Sequence, residues 1–135
     1  MDGLGRFAGH WQVERDIRDH RAGIVGRFEG QAVFAPDGAG LVYDENGLLR
    51  LGDGPALRAT RRYLWREGAR GIKVLFADGR RFHEIGPEGT AAHLCAADLY
   101  RVAYDFARWP AWEALWRVSG PAKDYEMRTR YRPAR

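Results

Sequence analysis

The chain has 135 residues, a net charge of +4, and 45% hydrophobic against 30% charged residues. These are the proportions of a folded globular protein, and the length suits one domain over residues 1–135 that can bury a core without disulfides or a structural metal. Cys95 is the single cysteine and Ser119 the single serine, set in Val118-Ser119-Gly120-Pro121. Disulfide scaffolds and serine-nucleophile elbows are therefore excluded, as are phosphate-binding loops, dinucleotide fingerprints and CxxC pairs.

In chain order, the first six residues carry no apolar signal core, which gives the expectation of a cytoplasmic protein. Residues 2–8 are expected to form a short helical turn plugging one end of a barrel. Trp11, Val13 and Ile17 then alternate with Gln12, Glu14 and Asp16, and Arg15 shares the apolar parity. Phe28, Gly30, Ala32 and Phe34 repeat the pattern, followed by Tyr63 and Trp65, then Ile72, Val74 and Phe76. Tyr100, Val102, Tyr104 and Phe106 form the next series, and Tyr125, Met127, Thr129 and Tyr131 the last. A period of two marks half-buried antiparallel strands.

Residues 109–118 allow two readings. A helix could start at Pro110, or Trp112, Ala114, Trp116 and Val118 could alternate as a strand; the strand is favoured because its neighbours are strands. Turn signals recur at even spacing: residues 35–38, 46–47, 53–55, 68–71, 78–79, 86–89 and 119–121. Asn46-Gly47 and Asp78-Gly79 have the composition of tight hairpins, whose central residues need positive φ. The pattern predicts an all-β fold, an antiparallel up-and-down barrel of about ten strands.

With Asp78 and Gly79 central in their turn, Val74 faces His83, Phe76 faces Arg81 and Lys73 faces Glu84. Opposed residues share a sheet face, so His83 and Arg81 are expected inside, unless a bulge shifts the register. A three-residue loop at 87–89 would set His83 against His93; a loop of two or four residues would turn His93 outward. Two inward histidines could bind a metal or haem iron with a third ligand from Asp98, Glu45 or His10, or could sit as hydrogen-bonded interior groups. Arg15 on an apolar face needs a partner. That partner is either a ligand anion or an interior carboxylate, unless Arg15 sits at the open rim. Cys95 reads as an inert thiol, with pairing to His93 as the alternative.

The basic balance invites a nucleic-acid reading. Arg128, Arg130 and Arg132 lie on the face opposite Tyr125 and Tyr131, so no stacking surface forms among them, and the expectation is a solvated face with no nucleic-acid or membrane partner.

Phe7-Ala8-Gly9-His10-Trp11 resembles the Gly-x-Trp signature of the calycins, the lipocalin and fatty-acid-binding group of barrels. That resemblance implies a tryptophan closing one barrel end against a late arginine. Tyr63-Leu64-Trp65, residues 78–83, His93-Leu94-Cys95, Asp98-Leu99-Tyr100 and residues 116–125 resemble an uncharacterised family of small bacterial and fungal proteins. It implies a calycin-like barrel and no activity. Nitrobindin-like barrels, which bind haem through a histidine, are similar at the level of fold alone. The expected function is non-catalytic binding of a small amphipathic or aromatic ligand, anionic ligands included, in the barrel cavity. The candidate residues are Arg15, Tyr63, Trp65, Arg81, His83, His93, Tyr100, Tyr104, Trp116 and Tyr125. The alternatives are an enzyme with His83 as general acid/base, a haem or metal protein using His83 and His93, and an interaction module pairing as a homodimer. The cofactor is unknown at this point, and a cavity too small for any ligand would overturn the binding reading.

Overall fold

The computed structural model describes residues 3–95 and 97–134. A 3-10 turn, Gly3–Phe7, precedes ten strands: β1 (Gly9–Asp19), β2 (Ile24–Pro36), β3 (Leu41–Leu51), β4 (Leu57–Glu67), β5 (Ile72–Phe76), β6 (Arg81–Ile85), β7 (Thr90–Cys95), β8 (Asp98–Asp105), β9 (Trp112–Ser119) and β10 (Asp124–Pro133). They form one antiparallel sheet in the order β6-β5-β4-β3-β2-β1-β10-β9-β8-β7. Pairing of β1 with β10 rolls this meander into a nearly closed barrel, with a seam between β6 and β7 where no ladder forms. The loop-length question at 87–89 thereby loses its premise, because His83 and His93 lie on strands that do not pair. The side chain of Cys95, and with it the pairing to His93, lies outside the described residues.

The alternating pattern places the core as expected. Val13, Phe28, Phe34 and Val118 are among the most deeply buried side chains, and residues 112–119 are a strand with Trp112, Ala114 and Val118 buried inside. One barrel end is sealed. Leu4 and Phe7 of the N-terminal turn are buried, and the ring of Phe7 packs edge-on against Trp65 and Trp109 at 5.1 Å and Trp112 at 5.4 Å. The Trp11 indole N–H donates to the Phe7 carbonyl at 2.8 Å, satisfying the only polar atom of a buried indole. The cation at this end is Arg6, 4.5 Å from the Trp109 ring centroid, in place of the late arginine that the calycin resemblance implies. The late arginines keep their outward parity: Arg128 pairs with Glu113, Arg130 with Asp16, and Arg132 donates to Gln12.

Two turn assignments need correction. Asn46-Gly47 is not a turn; both residues lie inside β3, and Gly47 is opposite Gly30 of β2. Any Cβ at Gly47 would run into the Glu29 carbonyl, the Gly30 backbone and the Phe28 ring, so glycine serves close approach here rather than positive φ. The second concerns the β5–β6 hairpin. Asp78-Gly79 does turn the chain, with Gly79 at φ 90°. However, the Phe76 amide donates to the Arg80 carbonyl, and Leu75 faces Arg81 while Val74 faces His83. Phe82 is the extra residue of a bulge. It and His83 are both buried, at 1% and 8% exposure, whereas Arg81 turns to solvent. The inward placement of Arg81 is therefore overturned by one inserted residue, which inverts parity from that point to the turn.

The strands are unequal in length. β4 pairs with β3 from Leu57 to Trp65 but with β5 only from Tyr63 to Glu67. The outer half of β4, with the matching ends of β2 and β3, thus projects past β5 at the end opposite the 3-10 turn. Gly47→Ala is expected to destabilise the protein by about 1–3 kcal/mol through overpacking against backbone. Urea denaturation monitored by tryptophan fluorescence measures this, and an unchanged midpoint would contradict it.

Candidate functional site

Three inward groups define the barrel interior. The first is built around Arg15, which is 4% exposed. β1 aims it at β3, where Glu45, 3% exposed, accepts from both terminal guanidinium nitrogens at 2.8 and 2.6 Å. The Nε N–H donates to Thr129 Oγ1 at 2.8 Å, and the guanidinium lies 5.0 Å from the Phe28 ring centroid. The Tyr43 hydroxyl donates to Glu45 and lies 3.0 Å from the Tyr131 hydroxyl. Burial pushes the Glu45 carboxyl up, but hydrogen bonding and charge from Arg15, with Arg61 and Tyr43 behind them, hold it below the ordinary range. Burial likewise opposes protonation of Arg15, and Glu45 outweighs it, so its pKa is raised. Both members are ionised, as a buried bidentate pair requires. Of the alternatives for Arg15, the interior carboxylate is the one present.

The second group surrounds His83. Its Nε2 lies 3.0 Å from the Tyr104 hydroxyl, while its Nδ1 is buried without a partner among the described residues. Burial, with the charge of His93 second, pushes the imidazole down to about 3, so the ring is neutral at pH 7. Burial also holds the Tyr104 phenol well above its ordinary value. The pair suits hydrogen bonding rather than proton transfer near neutrality, since the imidazolium is absent and the imidazole is a weak base. The ring of Phe82 packs edge-on against His83 at 4.4 Å and against His93 at 5.7 Å. No group of three histidine, cysteine or acidic side chains among the described residues is placed to hold a metal, so Asp98, Glu45 and His10 do not complete a set with the two histidines.

The third group is the open mouth. Arg61 has the same parity as Tyr63 and Trp65 on β4 and reaches inward, 3.8 Å from Glu45 and 5.7 Å from the Trp116 ring centroid. About a third of its side chain is exposed, at 32%. Tyr100 and Tyr125 are half-buried beside it on β8 and β10, and Leu49, Leu51 and Leu57 show apolar surface on the projecting inner face. Below Arg61, the interior cavity holds about 20 Å³, bordered by Arg15, Tyr43, Tyr63, Trp65, Tyr104, Trp116 and other residues. That is room for roughly one water, too little for an organic ligand to enter without rearrangement. Side chains fill the space that the sequence reading assigned to a ligand.

Of the ten candidate residues, Tyr63, Trp65, Tyr104 and Trp116 border that cavity with Arg15. His83 and His93 lie towards the seam, Tyr100 and Tyr125 at the mouth, and Arg81 outside. Sequence reasoning missed Tyr43 and Arg61 as members of the site and named Glu45 only as a possible metal ligand, not as the partner of Arg15. Tyr43 and Glu45 alternate legibly, but treating Asn46-Gly47 as a turn broke their strand. Arg61 has the parity of Tyr63 and Trp65, and that alternation is the signal that marks it as inward.

The barrel fold has a counterpart among solved structures. The S-type phycobiliprotein lyase CPES from Guillardia theta is similar over 98% of this chain and 90% of that one, with a TM-score of 0.65 and 10% identity. At that identity the likeness concerns the fold. The chain belongs to the family of unknown function DUF6314, whose sequence profile matches residues 7–133. No curated protein matches the sequence. Among the described residues no helix is long and apolar enough to cross a membrane.

Glu45→Gln is expected to destabilise the fold by about 3–5 kcal/mol, because it leaves the Arg15 charge buried without its counter-ion. The double variant Arg15→Met/Glu45→Leu should recover much of this loss in chemical denaturation. For His83, the folded pKa lies below the ordinary 6.5. The unfolded chain then binds the extra proton between about pH 6.5 and pH 3, so stability is full above that window and falls as pH drops through it. The melting temperature of His83→Gln should therefore fall less between pH 7 and pH 4.5 than that of the wild type. Parallel curves would contradict this.

Proposed function

We propose that the protein binds a small amphipathic or aromatic anion at the barrel mouth, with Arg61 as the anion anchor, in place of Arg15 or Arg81. The observation that carries this reading is the charge balance of the interior. Arg15 is neutralised bidentately by Glu45, whereas Arg61 reaches the same carboxylate only at 3.8 Å and remains partly exposed. One cation is thus in surplus where Trp116, Tyr63 and Tyr100 supply aromatic walls. An anion at this point adds the missing charge and accepts a bidentate pair of N–H groups. Because the interior as it stands has space for about one water, the ligand sits at the mouth, and Arg61 and Trp116 move to admit any part of it further in. The fold likeness to a phycobiliprotein lyase is compatible with a small-ligand role and supplies no ligand identity.

The test is a fluorescence titration with 8-anilinonaphthalene-1-sulfonate, followed by its displacement with aromatic carboxylates and a linear tetrapyrrole dicarboxylate. Arg61→Gln is expected to weaken binding about tenfold or more, the equivalent of losing a charge-assisted hydrogen bond. Arg81→Gln, on the outer face, should leave it unchanged. No saturable binding, or binding indifferent to Arg61, would overturn the proposal. A second reading rests on the unpartnered Nδ1 of His83, since a neutral imidazole is the form that ligates iron. Haem added in the same titration favours it if a Soret band appears that His83→Ala abolishes.

A further inference from the structure

A second concavity lies on the outside of the barrel, away from the mouth. It is a groove of about 1020 Å³ across the outer faces of β8, β9, β10 and β1. One wall is a row of cross-strand neighbours, Arg101, Arg117, Glu126 and Arg18. Beside it, one outward row further along the strands, lie Ala103 and Leu115, and Leu115 is 45% exposed.

The row contains an arrangement that costs stability. Arg101 is directly opposite Arg117, and like charges at opposed antiparallel positions repel. Arg117 is held by Asp124 at 2.7 Å and donates to the carbonyls of Val118 and Tyr125. Among the described residues no carboxylate comes within 4.0 Å of Arg101 or Arg18. The two acids that reach the groove are engaged elsewhere: Asp16 with Arg27 and Arg130, Glu126 with His20. Arg128 is paired with Glu113. The groove thus offers an unneutralised guanidinium next to a second one whose orientation is fixed, with apolar surface alongside.

We propose that this groove is a second binding site, for a small organic anion. Its oxyanion head, phosphate or carboxylate, bridges Arg101 and Arg117, and its apolar body covers Ala103 and Leu115. An oxyanion between the two guanidinium groups turns their repulsion into two charge-assisted contacts. A second copy of the chain is a poor occupant, since a two-fold contact would set this arginine row against itself.

The test uses Arg61→Gln protein, in which the anchor of the mouth is removed, so that the two sites are read apart. The probes are 1-naphthyl phosphate, 1-naphthoate and the neutral 1-naphthalenemethanol, followed by the backbone amide shifts of Arg101, Ala103, Leu115 and Arg117. Both anions are expected to shift these amides saturably and the alcohol to leave them in place; the affinity ratio of the two anions identifies the preferred head. Adding Arg101→Gln should weaken binding at least tenfold without lowering the melting temperature, because Arg101 has no partner to lose and its repulsion with Arg117 is relieved. Leu115→Asn should weaken the naphthyl anions and leave inorganic phosphate unaffected. Absence of β8–β9 shifts, equal binding of the alcohol, or indifference to Arg101→Gln would overturn the proposal. Shifts confined to the surroundings of residue 61 in the wild type would do the same while leaving the mouth reading intact.

Discussion

The interior of this barrel is organised by one ion pair. Arg15 and Glu45 are almost fully buried, and each would be intolerable there alone. Their mutual neutralisation fixes the register of everything that touches them. Thr129 accepts from the guanidinium Nε, Tyr43 donates to the carboxylate with the Tyr131 hydroxyl beside it, and Phe28 lies beneath the guanidinium plane. The Phe28 ring has room because Gly47 and Gly30 are opposite one another, where any side chain would collide with it or with backbone. A charged pair, an aromatic ring and two glycines are thus one packing solution spread over three strands.

This arrangement gives the barrel two unlike ends. At the sealed end, apolar and aromatic surface from the 3-10 turn, β1, β4 and β9 closes around Phe7, and every ring finds a tilted or edge-on neighbour. At the other end the strands are of unequal length, so the sheet cannot close over itself, and polar tips remain within reach of water. Arg61 is at the boundary. It is inward by strand parity, yet near enough to the rim to stay hydrated, and Glu45 already has a closer partner. The surplus charge is what separates this mouth from an ordinary core.

Most of the architecture was legible in the residues. Alternation in Trp11-Val13, Phe28-Phe34, Tyr100-Phe106 and Tyr125-Tyr131 located strands, and the same parity turned Arg128, Arg130 and Arg132 to the outer face. The failures have physical causes. Asn46-Gly47 has the composition of a hairpin turn, but glycine also serves close approach between strands, and composition does not distinguish the two uses. At Phe82 one bulged residue reversed the parity of Arg81. A bulge of this kind depends on which large ring the core can receive, here Phe82 between Phe76, His83 and Trp116.

The sequence by itself determined the fold class, the sealed N-terminal end and the inward placement of Arg15 and His83. Those follow from local periodicity, which backbone geometry imposes at every strand. Only the tertiary structure decided that Glu45 neutralises Arg15, that Arg61 is the interior cation left over, and that side chains occupy nearly all the enclosed space. Such facts depend on which residues meet across the barrel, from strands tens of residues apart, and on how completely their volumes fill it. Neither is a property of any one segment of chain.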